Sequence, residues 1–336
     1  RQGRKLKLYL DEMMNETTEW LDTLGPRGEL DLVAAAERLT LAVVARAVLG
    51  ADFRRRLGGE LTRELDALSR GLEFVLPTNL PLPRFIRRDR AQRRLRAMFG
   101  EVVRARRAAQ EQPDDFLEAL LASSYHGAPT IPDEKIVTFI LGLLFGGREN
   151  TAGHLEWSLV QILQHPAVLE RAVEESARVF GDGRRPDLDA IRGMTWLDAC
   201  MRETERTRPV THTLLRLNKD DYVAGGYRVP KGWLTVAGIA LTQRLPELFR
   251  DPARYDPTRF SPERAEDRPW SIVGFGGARH ACWAKAFVGL ELKVIIGMWL
   301  ARYDLSLVDP DVRGATNDIG VIRPARPCRL RYERRA

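Results

Sequence analysis

The 336-residue chain has only three cysteines, Cys200, Cys282 and Cys328, and no two of them stand at a paired or CxxC spacing. A disulfide framework and a cysteine-based zinc site are therefore excluded, and a reducing cytoplasm fits. Long apolar runs are missing too. The longest, from Ile136 to Gly147, falls short of the roughly 20 residues that a bilayer-spanning helix needs. There are no internal repeats and no low-complexity tract of consequence. The chain also lacks an initiator methionine: Arg1 runs directly into a helical pattern, so an N-terminal portion is expected to precede it.

What is present is apolar bulk and positive charge. With 44% hydrophobic residues the chain can bury a large core, as one big domain or as two. The net charge of +7 admits nucleic acid as a partner, but the basic residues alternate with apolar ones in helical patterns and no nucleic-acid motif appears. An acidic protein partner is the better expectation.

Residues 4 to 50 read as two helices broken by a loop at Gly25-Pro26-Arg27-Gly28, and a third pattern runs through Leu61, Leu65, Leu68 and Leu72. After the proline-rich stretch Leu76 to Pro83, a basic helix wraps Arg87, Arg88, Arg90, Arg93, Arg94 and Arg96 around Ala91, Leu95 and Met98, a pattern equally that of a solvated cationic face. Residues 131 to 165 predict one helix of roughly 50 Å, opened by Pro132 and Asp133 and closed at His165-Pro166. Its interior is expected to be distorted where Gly146-Gly147 precedes Arg148-Glu149-Asn150-Thr151. Further helices are expected from Pro166 to Phe180 and through Cys200 to Arg206, and hairpins from Thr213 to Thr242. Beyond Ala301 the chain alternates again and ends strand-like at Cys328 to Tyr332. Cys200 and Cys328 read as packing residues.

The segment that organises the chain is Val273-Gly274-Phe275-Gly276-Gly277-Ala278-Arg279-His280-Ala281-Cys282-Trp283-Ala284-Lys285, which leads into an apolar helix. A cysteine just ahead of a helix N-terminus has its thiolate stabilised by the orphan amides there, and such a sulfur can ligate a metal. Gly276, Gly277 and Ala278 allow close approach to a flat cofactor, Phe275 can keep water off the sulfur, and His280 is placed to meet an anionic group. The plainer alternative is a buried structural cysteine.

This stretch resembles the haem-binding loop of the cytochrome P450 superfamily, Phe-x-x-Gly-x-(His/Arg)-x-Cys-x-Gly, with alanine for glycine at Ala278 and Ala284. The resemblance extends to the central helix, where Gly146-Gly147-Arg148-Glu149-Asn150-Thr151 is similar to the groove motif (Ala/Gly)-Gly-x-(Asp/Glu)-Thr-(Thr/Ser). Glu149 matches the acid, Asn150 stands in place of the threonine, and Thr151 matches the next hydroxyl. Glu203-x-x-Arg206 together with Arg259 resembles the family's buried structural triad, and Arg216 matches an arginine that reaches a haem propionate.

The resemblance implies a mainly α fold with small β-sheets, a single haem-thiolate domain over residues 1–336, and a long helix above the haem with the cysteine loop beneath it. It implies haem b (iron protoporphyrin IX) held by Cys282, with Phe275, Gly276, His280, Ala284 and Arg216 around it. Glu149, Asn150 and Thr151 would handle protons for O2. The helices on either side of the Leu76–Pro83 stretch would form a lid. Leu143, Gly146 and Gly147, the turn Val210-Thr211-His212-Thr213-Leu214, and Ile319 with Val321 would line the substrate pocket. Electrons would come from NAD(P)H through a reductase and an acidic ferredoxin or flavodoxin-type partner. The branch it looks most like is the bacterial sterol 14-demethylase group, through Arg279-His280-x-Cys282 and His212-x-x-x-Arg216. A polar turn at Val210-Thr211, and Arg148-Glu149 where that group has paired histidines, favour instead a tailoring oxidase of secondary metabolism acting on a medium or large apolar scaffold. A haem-binding protein of this fold without turnover, serving a binding or docking role, is the competing reading.

Overall fold

The computed structural model describes residues 2–72, 76–110, 115–124, 130–183, 185–264, 266, 268–317 and 320–335. Helix α1 (Gln2–Asp22) leads through strand β1 (Arg27–Asp31) into α2 (Leu32–Leu49), followed by α3 (Ala51–Ser69), α4 (Pro83–Ala108) and α5 (Phe116–Leu121). The long helix α6 (Asp133–Gln164) comes next, then α7 (Pro166–Phe180), α8 (Leu188–Arg192) and α9 (Thr195–Thr207). Strands β2 (Thr213–Leu217), β3 (Tyr222–Ala224), β4 (Tyr227–Val229) and β5 (Leu234–Gly238) precede a short helix α10 (Ile239–Thr242). The chain closes with α11 (Lys285–Arg302) and strands β6 (Tyr303–Leu307), β7 (Gly314–Thr316), β8 (Ile322–Pro324) and β9 (Arg329–Arg334). The fold is mainly α with small antiparallel sheets, in the order β1-β9-β6 and as the pairs β2-β5, β3-β4 and β7-β8.

Two apolar clusters form the core, and α6 passes through both. Its first half gives Ile136, Val137, Ile140, Leu141 and Leu144 to a cluster shared with the end of α2, with α3, α4 and α5. Its second half gives Ala152, Leu155, Trp157, Leu159 and Ile162 to a larger cluster with α1, α2, α9 and α11. A helix that is apolar on most of its circumference is stable only when surrounded, and here it is. Between the two halves lies the stretch 145–151, which belongs to neither cluster core and so is free to border a cavity.

Three sequence expectations are corrected. Gly28 lies in strand β1 rather than in a loop, directly opposite Tyr332 of β9; a Cβ there would come within 2.5 Å of the Tyr332 hydroxyl, so glycine serves close packing and not a turn. Residues 239–242, expected to continue the hairpins, form α10. Helix α6 runs without interruption through Gly146-Gly147. Those glycines thin the helix instead of bending it: a Cβ on Gly147 would press on Val44 of α2 at 3.2 Å, and one on Gly146 would meet open space.

Candidate active site

The loop that carries Cys282 closes on itself through backbone bonds. The Gly276 amide donates to Val273 O at 2.8 Å and the His280 amide to Gly277 O at 3.0 Å. The Cys282 amide donates to Phe275 O at 2.7 Å, which ties the cysteine back across the turn, and Lys285 opens α11 three residues later. Gly276 has φ +70, and a Cβ there would sit 2.5 Å from His280 O, so only glycine fits. Ala278 has φ +48, a left-handed conformation that costs a non-glycine residue on the order of 1 kcal/mol. Ala284 has φ −85 and ψ 0 and bears no such strain.

Cys282 is exposed, not buried as the plainer alternative of a structural cysteine requires, and it borders a cavity of about 570 Å³ between the loop and α6. Facing it across the cavity are Leu143, Gly146, Gly147, Asn150, Thr151 and His154 of α6. Phe275, Gly276, His280 and Ala284 border the same space, as do Val210, Thr211 and Leu214 from the turn after α9.

Several expected residues lie elsewhere. Glu149 does not border the cavity: it is buried on another face of α6, where its carboxylate accepts from Ser69 at 3.4 Å, Asn317 at 3.1 Å and Arg323 at 3.4 Å. These three donors from α3 and the C-terminal segment draw it away from the cavity. Arg216 is exposed on β2, its guanidinium donating to Leu215 O at 2.8 Å. His212 and Thr213 are exposed outside the lining, at the start of the strand rather than at the turn. Val321 packs behind α6, against the backbone of Gly153, and Ile319 lies outside the described residues.

Glu203, Arg206 and Arg259 form a fully buried cluster. Arg206 donates to both oxygens of Glu203 at 2.8 Å, and Arg259 Nε donates to Glu203 Oε1 at 2.9 Å. The remaining guanidinium hydrogens go to the carbonyls of Gln243, Arg250, Asp251, Pro252 and Arg254 and to Glu266. Every charge is thus compensated by opposite charge and hydrogen bonds, the condition for a buried ion cluster. Gln243, also fully buried, links this cluster to the cysteine loop: its amide donates to Glu205 O at 2.8 Å, and its Oε1 accepts from Val273 N at 2.9 Å.

Sequence reasoning missed Gln243, and it missed four ionisable groups. His154 is buried with Nε2 3.0 Å from Met201 O; burial lowers its pKa and favours the neutral ring. Glu291 of α11 is fully buried with both carboxyl oxygens unpartnered among the described residues, and burial holds its carboxyl well above the ordinary range. Burial pushes Glu205 up to about 7, against the pull of Lys285 and the amides of Phe275 and Gly274. Arg323 anchors the network behind α6, donating to Glu156 at 3.0 Å and to Glu37 at 2.5 Å; burial opposes its charge, but these carboxylates outweigh burial and raise its pKa. None of the five is a specified residue of a motif, and Glu205 occupies an open position of Glu203-x-x-Arg206, so no signal in a single sequence singles them out.

A family-wide sequence profile described as "Cytochrome P450" matches residues 2–331. The chain belongs to the cytochrome P450 family. Among curated P450 relatives, it is 28% identical over 344 residues to the sterol 14alpha-demethylase of Mycobacterium tuberculosis, covering 99% of this chain and 76% of that protein. It is 29% identical over 317 residues to the sterol 14-demethylase of Arabidopsis thaliana, covering 91% of this chain and 65% of that protein. The obtusifoliol 14-alpha demethylase of Sorghum bicolor is 30% identical over 320 residues, with coverage of 92% and 65%. The retinoic acid-bound structure of cyanobacterial CYP120A1 superposes with a TM-score of 0.90 at 26% identity, over 99% of this chain and 76% of that one. The chain thus has the P450 fold and spans about two thirds to three quarters of the length of these relatives. No helix among the described residues is long and apolar enough to cross a membrane.

The P450 family implies haem, and the residues present fit one. The only cysteine open to solvent faces the cavity, and the glycine at 276 leaves the loop backbone bare beside it. Arg208 and His280, both on the lining, offer donors for propionates, whereas Arg216 is not among the lining residues.

Proposed function

We propose that this chain is a haem-thiolate monooxygenase that inserts one oxygen atom of O2 into a medium or large, largely apolar substrate. The observation that carries the reading is that Cys282 opens onto the same apolar-walled cavity that Asn150 and Thr151 line. When bound, haem b supplies dioxygen activation, with the thiolate pushing electron density that favours O–O cleavage. The chain's own residues do the rest. Phe275, on the same lining as Cys282, would shield the sulfur from water. Arg208 and His280, on the cavity lining, would hold the carboxylates of the cofactor. Thr151 Oγ1 donates a proton on the α6 side, and the Asn150 carboxamide, whose Nδ2 lies 3.4 Å from Gly146 O, orients water or dioxygen in the same place. Glu149, tied to Arg323 and Asn317, holds the helix in register and does not itself reach the cavity.

Val44, Val48, Phe116, Leu143 and Leu214 suit an apolar scaffold, and Thr211 with Asn150 supplies a few polar contacts. A sterol 14-demethylase-like reaction is the second reading, favoured by the names of the relatives. A net charge of +7 suits a small acidic electron donor of ferredoxin or flavodoxin type, with its reductase drawing on NAD(P)H.

The test is turnover of the haem-loaded protein under ¹⁸O2 with an electron donor and a panel of sterols and polyketide-like scaffolds. One labelled oxygen atom in the product supports monooxygenation. Ligand-induced spin-state shifts without any product would instead support a haem-binding protein without turnover.

A further inference from the structure

Glu205 stands apart from the buried cluster next to it. Its neighbours Glu203 and Arg206 point into that cluster, while Glu205, itself buried, borders the cavity. Its carboxylate receives the backbone amides of Phe275 and Gly274, on the N-terminal side of the cysteine loop. A Cβ on Gly274 would come within 2.8 Å of Glu205 Oε1 and 2.9 Å of its Cγ, so the contact exists only because residue 274 has no side chain. On the C-terminal side of the same loop, Lys285 is the foremost cation acting on this carboxylate, with Arg202 of α9 behind it. The Lys285 ammonium also lies 5.5 Å from the Phe275 ring centroid, and the His154 ring lies 5.9 Å from the same centroid. Glu205 thus lies against the loop ahead of Cys282 and Lys285 follows it, with the Phe275 ring close to the ammonium.

We propose that Glu205 and Lys285 are positioning residues for the cysteine ligand: they flank Cys282 on either side of the loop and set opposing electrostatic potentials at its sulfur. This rests on the reading of Cys282 as a haem ligand. The carboxylate contributes negative potential at the sulfur and the ammonium positive potential, so the two have opposite effects on an iron that gains an electron.

The experiment is spectroelectrochemical titration, at a pH well above 7 where Glu205 is ionised, of the haem-loaded chain carrying Glu205→Gln, Lys285→Met or Gly274→Ala, with haem content and thermal midpoint measured alongside. Glu205→Gln keeps the shape and a hydrogen-bond acceptor but removes the charge, and the expected result is a reduction potential more positive than the parent's. Lys285→Met is expected to shift it the other way. Gly274→Ala, which forces the carboxylate off the loop, is expected to follow Glu205→Gln in direction. Unchanged potentials in folded, haem-replete Glu205→Gln and Lys285→Met overturn the proposal. If Glu205→Gln does not load haem, Lys285→Met alone decides by the same criterion. A parent protein without the thiolate signature would instead overturn the underlying assignment of Cys282, which separates the two failures.

Discussion

Asn150 is the residue at which turnover can be tested most sharply. It faces the cavity beside Thr151, and it carries a carboxamide where the family pattern has a hydroxyl, a poorer proton donor that can still orient water. Asn150→Ala is expected to consume reductant at a similar rate while diverting it to hydrogen peroxide, lowering product formation by roughly 10². Asn150→Thr should keep at least partial product formation. Product formed per reductant consumed is the measurement, and unchanged coupling in the alanine variant would leave Asn150 a packing residue. A second residue-scale contrast lies in the loop. Ala278 is left-handed and Ala284 is not, so Ala278→Gly should stabilise the protein by about 1 kcal/mol in chemical denaturation, and Ala284→Gly should give no such gain. The two substitutions look alike in the sequence, since both replace a pattern glycine, and only the backbone separates them. The same holds for side-chain direction: Leu214 borders the cavity while Thr213 and Arg216 of the same strand do not, a distinction that a short, mostly exposed strand does not encode in its hydrophobic pattern.

At the scale of elements, long periodic helices were legible and short or paired ones less so. Helix α7 has the bounds that Pro166 and the Gly181-Asp182-Gly183 stop predict, and α6 differs from its predicted range by one or two residues. Strand β1 was not legible, because its extended form depends on pairing with β9 some 300 residues away, and Gly28 signals a turn when read locally. Helix α9 and the 3-10 turn at Pro257–Phe260 are joined by the Glu203, Arg206 and Arg259 cluster, whose side chains are all fully buried. Glu203→Ala or Arg259→Ala strands a buried charge and should cost about 3–5 kcal/mol, seen as a lowered thermal midpoint and poor haem retention. Stable, haem-replete variants would show that solvent reaches the cluster and compensates the loss.

Across the whole molecule, the cavity falls at the seam between two apolar clusters, both of which α2 and α6 enter, and the middle turn of α6 is thinned there by glycine. The order of motifs along the chain made the fold and the cysteine side of the site readable. What stayed hidden is the ion network behind α6, where Arg323 meets Glu37 across 286 residues and turns Glu149 away from the cavity. Such contacts follow from the assembled tertiary structure and leave no local trace. The account's central claim is that Cys282 is the thiolate ligand of a haem, and reduced protein under carbon monoxide tests it most directly. The account predicts the strongly red-shifted Soret band of thiolate ligation in the parent and its loss in Cys282→Ser; a serine variant that keeps the band would contradict it.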